Sequence, residues 1–199
     1  DSLETRTTAQ RESEQFELLV GQLRHAKAKA PQYAELLAGI DPEAVTDRSA
    51  LGKLPVTRKS ELSQSQLRDP PFGGYAATED GDLLRVFASP GPVFEPQGRR
   101  EDFWRFARAL HAAGFRRGDL IHNTFSYHFT PAGFMVDSGA HALGCTVFAA
   151  GTGQTELQVQ AIAVLRPRGY IGTPSFLKII LDKAAESGLE LSSLAVGAV

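Results

Sequence analysis

The sequence predicts an α/β fold: a mainly parallel sheet with helices on both faces, preceded by a helical N-terminal appendage. Three observations lead there. From Asp82 onward, short apolar runs alternate with longer amphipathic ones, a pattern that requires crossover connections between parallel strands. Before that point the chain offers helix-forming segments and a Pro/Gly connector, with less apolar content for a core of its own. And 199 residues with 42% hydrophobic content are enough to bury one large core with an appendage. The expected division is residues 1–80 for the appendage and 81–199 for the α/β subdomain.

The elements follow in order. Gln10 to Ala30 is helix-forming, with Phe16, Leu19, Val20 and Leu23 on one stripe. Pro31 suits the first position of a short helix reaching Ala38. Thr57 is placed to cap a helix through Leu67, and Asp69 to Gly74 reads as an irregular connector. Leu83 to Ala88 is the first strand of the sheet. Arg99 to Ala113 is amphipathic, with Phe103, Phe106, Ala107 and Leu110 facing inward and Gly114 as its stop. Asp119 to Phe125 is a strand, Pro131 to Leu143 a helix, and Cys145 to Ala149 a strand. Thr155 to Leu165 is a helix opened by a capping box of Thr155 and Gln158. Arg168 to Gly172 is a strand, Thr173 and Pro174 open a helix to about Ser187, and a last apolar strand begins at Leu194.

Composition excludes several classes. A net charge of -2 with interspersed signs gives no footprint for nucleic acid or an anionic membrane. Cys145 is the only cysteine, so no internal disulfide and no thiolate zinc site can form. No run approaches the roughly 20 apolar residues of a spanning helix, and the start carries no signal-peptide pattern; cytoplasmic residence fits. The chain starts without Met and stops inside the apolar run Leu194 to Val199, as expected of a truncated chain with a tendency to form homo-oligomers.

The most informative stretch is Val86-Phe87-Ala88-Ser89-Pro90-Gly91-Pro92-Val93-Phe94-Glu95-Pro96. An apolar strand enters a Ser-x-Gly turn, and a helix-forming stretch is expected from near Gly98, as in a phosphate loop. Yet Pro90, Pro92 and Pro96 lack N–H groups, and Glu95 opposes a phosphate. On turn chemistry alone, Ser-Pro-Gly-Pro is a rigid turn. A second stretch, Phe125 to Gly133, gathers aromatic rings beside His128 and two hydroxyls; it suits either an apolar ligand wall or a strand end packed into the core. Ser126, His128 and Asp137 lack the elbow of a hydrolase. Asp137 and His141, four apart on a helix, lack a third metal ligand, so no metal site is assigned. His25, His111 and His122 have no supporting neighbours and receive no role.

Read together, Leu54 to Leu62, Pro71 to Gly74, the Ser-x-Gly turn, Ala113 to Asp119, Asn123 to Tyr127, Gly151 to Gln158 and Gly172 to Ser175 resemble, in order, the amino-terminal region of phenylacetate–CoA ligases. These belong to the adenylate-forming (acyl-CoA synthetase-like) superfamily. The resemblance implies that residues 81–199 are a subdomain of such an enzyme. It implies activation of an aromatic or other carboxylic acid with Mg-ATP as an acyl-adenylate, then transfer to CoA, with the 199 residues alone inactive. The family loop reads Ser-Ser-Gly-Thr-Thr-Gly-Lys-Pro. Ser89, Gly91 and Pro96 match it, while Pro92, Val93, Phe94 and Glu95 replace Thr, Thr, Gly and Lys, so weakened ATP binding is expected. By the same resemblance Tyr127, His128 and Phe129 line the acyl pocket, and Gly151, Gly153, Gly172 and Thr173 form the active-site edge. The implied partners are a small carboxylic acid and CoA. The alternative is a non-catalytic acyl- or CoA-binding paralogue that has lost ATP use.

Overall fold

The computed structural model describes residues 2–198, which divide into two compact units. The first takes in residues up to Val86 together with Pro90–Pro96; the second takes in Phe87–Ser89 and the chain from Gln97 onward.

The first unit is helical, with α1 (Thr8–Lys29), α2 (Pro31–Leu36), α3 (Arg48–Leu51) and α4 (Lys59–Arg68). Thr7 opens α1 in a full capping box with Gln10. Leu23, Leu37 and Val45 form its small core, with Leu19 and Tyr33 packed against them. The helix α4 begins after Arg58 with no side-chain cap, so Thr57 does not serve as one.

The expected first strand forms, as β1 (Leu83–Ser89), but it does not join the parallel sheet. It pairs with β2 (Val93–Gly98) in a sheet of two strands. The segment after the Ser-x-Gly turn is therefore a strand, not the start of a helix. Its side chains alternate, with Val93 and Gln97 buried and Phe94 exposed. The helix expected from Arg99 starts only at Ala107 (α5, Ala107–Ala113). Asp102 and Arg105 both take positive φ, and the Asp102 carboxylate accepts the N–H groups of Phe106 at 2.8 Å and Ala107 at 3.2 Å. A late cap thus replaces the first turns of the helix.

The second unit is built on a parallel sheet in the order β4 (Thr146–Ala149), β3 (Leu120–Asn123), β5 (Gly169–Ile171), β6 (Val196–Ala198). Strand alternation sends Ile121 and Ile171 to one face, where they meet Leu110 of α5 and Val136 and Ala140 of α6 (Ala132–Leu143). Tyr170 points to the other face, against Val159 and Ile162 of α7 (Thr155–Leu165) and Ile180 and Ala184 of α8 (Pro174–Glu186). Helices thus cover both faces. The close fit needs missing side chains: a Cβ on Gly169 would lie 2.1 Å from Phe115 Cε1, and one on Gly139 2.8 Å from Ala107 N. Thr173 caps α8, with Pro174 in its first turn.

This topology has a switch point. The helix after β3 lies on one face and the helix after β5 on the other, which is the arrangement at whose carboxyl edge open α/β sheets take ligands. No helix among the described residues is long and apolar enough to cross a membrane.

Candidate functional site

The last residues of β3 organise the carboxyl edge of the sheet. Asn123 is fully buried. Its side-chain amide donates to Tyr127 Oη at 2.8 Å and to the Gly133 carbonyl at 3.1 Å, and its Oδ1 accepts the Phe125 N–H at 3.1 Å. Its main-chain carbonyl accepts the N–H groups of Ala150 and Gly151, 3.0 and 3.1 Å away. One asparagine therefore ties the loop after β3 to the loop after β4. Neighbouring Thr124 does the same for the loop after β5. Its hydroxyl donates to Tyr170 Oη at 2.9 Å, which in turn donates to the Thr173 carbonyl at 3.3 Å.

Tyr127 is held from three sides. Its hydroxyl donates to Asp137 Oδ1 on α6 at 2.8 Å and accepts from Asn123, and its ring meets Phe134 edge-on at 5.2 Å. Burial, and then the hydrogen bond and charge of Asp137, push its hydroxyl pKa well above the ordinary tyrosine value. The phenol is thus a fixed neutral donor. Gly133 admits the ring, since a Cβ there would stand 2.9 Å from Tyr127 Cγ. Asp137 faces this phenol rather than forming a metal pair with His141.

The other residues singled out from sequence fall as follows. Phe129 stands beside Tyr127 in the chain but is 81% exposed, at φ 58°, and its carbonyl accepts the Ala88 N–H at 2.9 Å. That bond brings the end of β1, and with it Ser89, against the Tyr127 loop. His128 is exposed, its N–H donated to Ser126 Oγ at 3.0 Å. Gly172 is buried where its Cβ would strike Thr124 Oγ1 at 1.9 Å. Gly151, Gly153, Gly172, Thr173, Tyr127 and Ser89 thus lie on segments that end at this edge. Gly91 and Glu95 belong to the first unit.

Within that unit, Gly91, Pro92 and Phe94 line an apolar cleft of about 580 Å³ together with Phe72 and Leu83. The Gln66 side chain occupies both main-chain groups of Phe94, its Oε1 accepting the N–H and its Nε2 donating to the carbonyl, each at 2.8 Å. Between residues 90 and 94, then, two N–H groups are missing at the prolines and a third is spent on Gln66.

Sequence reasoning missed the buried pair beneath the second loop. His122 is fully buried and contacts Gln158, itself buried, through Nε2. Gln158 spends its amide on the carbonyls of Gly151 at 2.8 Å and Gly153 at 3.0 Å. The expected capping box is therefore absent: Gln154, at φ 52°, is the N-cap without a side-chain bond, and Gln158 turns inward. The signal was a polar residue inside each of two apolar runs, His122 and Gln158. Among the described residues no three His, Cys, Asp or Glu side chains gather to hold a metal ion.

No protein-family model matches the chain. Curated relatives do. It is 32% identical over 194 residues to the phenylacetate–coenzyme A ligase of Aromatoleum evansii, covering 92% of this chain and 43% of that protein. It is 32% identical to the Pseudomonas putida enzyme of the same name (96% and 44%) and to that of Escherichia coli K12 (99% and 47%). The chain belongs to the phenylacetate–CoA ligase family. It spans somewhat under half the length of these relatives. Crystal structures of 2-hydroxyisobutyryl-CoA ligase are similar: one in the postadenylation state with 2-HIB-AMP has a TM-score of 0.84 at 26% identity, covering 92% of this chain and 40% of that one. Another, with R3-HIB-AMP, reaches 0.86 at 26% identity, covering 93% and 41%. The family likeness thus extends to solved enzymes holding acyl-adenylates.

Proposed function

We propose that this ligase-family chain contributes the acyl-facing edge of an acid–CoA ligase, which joins a carboxylic acid to the α-phosphate of ATP and passes the acyl group of the adenylate to CoA. In the first step the carboxylate oxygen bonds to phosphorus as pyrophosphate leaves; in the second, the CoA sulfur bonds to the acyl carbon as AMP leaves. The observation that carries this reading is the Tyr127 clamp. An aromatic wall held by Asn123 and Asp137 stands at the sheet's switch point, beside loops that run from Gly151 and Gly172. Such a wall, apolar with its one hydroxyl already satisfied, favours a hydrophobic or aromatic acid. Tyr127, with His128 and Phe129 at the rim, is assigned to acyl recognition; Gly151, Gly153, Gly172 and Thr173 are assigned to the edge around the adenylate. Magnesium would accompany ATP as its counter-ion.

One observation favours a second reading, a paralogue that binds acyl groups or CoA without using ATP. The turn that would meet the phosphates is lined toward an apolar cleft and has its Phe94 N–H tied to Gln66. The protein expressed from its full reading frame separates the two. Incubated with ATP, magnesium, CoA and a panel of aromatic and aliphatic acids, it is expected to release AMP and acyl-CoA, resolved by chromatography. Thioester binding without AMP release from any acid would establish the second reading instead.

A further inference from the structure

We infer that His122 is a positioning residue that sets the loop from Ala150 to Gln154 through Gln158, and that it does so only as the neutral Nε2–H tautomer. This rests on the reading above, in which that loop edges the site.

The tautomer follows from counting donors. Gln158 has two amide N–H bonds, and the structure aims them at the carbonyls of Gly151 and Gly153. Its Oε1 is left as an acceptor, so the group facing it, His122 Nε2, carries the proton. His122 Nδ1 is buried with no hydrogen-bond partner among the described residues. As a bare lone pair it is tolerated there; as a second N–H it would be an unsatisfied buried donor. The groups placed against the ring are Phe148 from β4, Tyr170 from β5 and Gln158 from α7. Only Tyr170 among them titrates, and burial keeps its hydroxyl protonated beyond the ordinary range. Among the described residues no carboxylate faces the imidazole, and burial lowers its pKa.

The consequence reaches the loop through backbone orientation. Gly151 and Gly153 take φ of 70° and 74°, a region open to glycine, and this turns both carbonyls inward to Gln158. The Gly151 N–H is taken by Asn123 of β3, next to His122 in the strand. The loop is thereby pinned from two adjacent strand residues, one through its carbonyls and one through its N–H. The N-cap of α7 has no side-chain bond of its own, and Gln158 fixes the approach to the helix by donating to the loop carbonyls instead.

The test uses the full-reading-frame protein with His122→Phe, His122→Gln and Gln158→Met. Long-range nitrogen–proton correlation of the histidine rings is expected to show His122 as the neutral Nε2–H tautomer at pH 7. Amide exchange at residues 151–154 is expected to speed up by about tenfold or more in His122→Phe and Gln158→Met, and to recover in His122→Gln, whose amide can donate to Gln158. In acyl-CoA synthesis, the same two variants are expected to lower kcat or raise KM, with recovery in His122→Gln. An Nδ1–H or charged imidazole, or unchanged loop exchange in a folded variant, overturns the inference. Faster loop exchange with unaltered kcat and KM overturns its catalytic part. If the wild-type protein turns over no acid, the functional reading has failed, while the tautomer and exchange results still decide whether His122 positions the loop. Should His122→Phe not fold, the wild-type tautomer and Gln158→Met carry the decision.

Discussion

The hydroxyl of Tyr127 donates to Asp137 Oδ1 over 2.8 Å, joining the loop after β3 to the helix that follows it. That bond explains why a tyrosine, and not a phenylalanine, stands at this point of an otherwise apolar wall. Asp137 sits on the second turn of α6, so the ring cannot swing without breaking a charge-assisted bond and uncovering Asn123 beneath.

Tyr127→Phe is therefore expected to lose about 1–3 kcal/mol, because a buried amide donor and a carboxylate lose a shared partner. The pH dependence has a definite sign. The folded pKa is raised, so the stabilisation is present below the unfolded value of about 10 and is lost as pH rises above it. Urea unfolding at pH 8 and at pH 10.5 should show a steeper alkaline loss in the wild type than in the variant. Equal losses would remove Tyr127 from that role.

His122 works in the opposite direction. Its folded pKa lies below the ordinary value near 6.5, so the contribution is present above that pH and lost as pH falls toward the folded value. The loss is expected to approach about 1.4 kcal/mol per pH unit within that window. Denaturant titrations from pH 7 to 5 on wild type and His122→Gln measure the difference, and a parallel pair of curves would contradict it.

Much of this architecture was legible because local and global signals agreed. Thr173-Pro174 announced α8 and Gly114 ended α5, and the strands β3, β4 and β5 fell where apolar runs were bounded by turn residues. The hairpin of β1 and β2 is hidden in the sequence, because Ser-Pro-Gly-Pro suits a turn into the helix-forming stretch beyond Gly98 equally well. The alternation from Val93 to Gln97, buried at each end, was the overlooked strand period. Gln158 misled for a different reason. Thr155 and Gln158 have the spacing of a capping box, but the buried imidazole of His122 on β3 offered Gln158 a better use. Of the candidate site, the loops were visible as glycine-rich strand ends; Asn123, which joins two of them, was not, since its partners lie 4 and 27 residues away in sequence (Tyr127 and Ala150).

Gly169 offers a test of packing alone. Its missing side chain makes room for Phe115, so Gly169→Ala is expected to destabilise the second unit by about 1–3 kcal/mol through overpacking. Adding Phe115→Leu should recover part of the loss by moving the obstructing ring edge. Thermal unfolding of the single and double variants checks this. A double variant less stable than the sum of its parts would show that the contact is not the cause.

The final prediction concerns the altered turn. Pro90 and Pro92 supply no N–H, the Phe94 N–H is held by Gln66, and Glu95 stands where the family has lysine. Mg-ATP is accordingly expected to bind the full-reading-frame protein weakly, while aromatic acids or their CoA thioesters bind at the Tyr127 wall. Pro92→Thr, Val93→Thr, Phe94→Gly and Glu95→Lys together should strengthen nucleotide binding. A restored lysine contact contributes roughly 1.5–3 kcal/mol, or about tenfold to a hundredfold in Kd. The same changes remove Val93 from a buried site and Phe94 from the apolar cleft, so stability should fall while affinity rises. Glu95→Lys alone leaves the cleft intact and isolates the charge. Calorimetric titration of wild type, single and quadruple variants decides the matter. Micromolar Mg-ATP binding by the wild type, unchanged by Glu95→Lys, would mean that this turn does not govern nucleotide affinity.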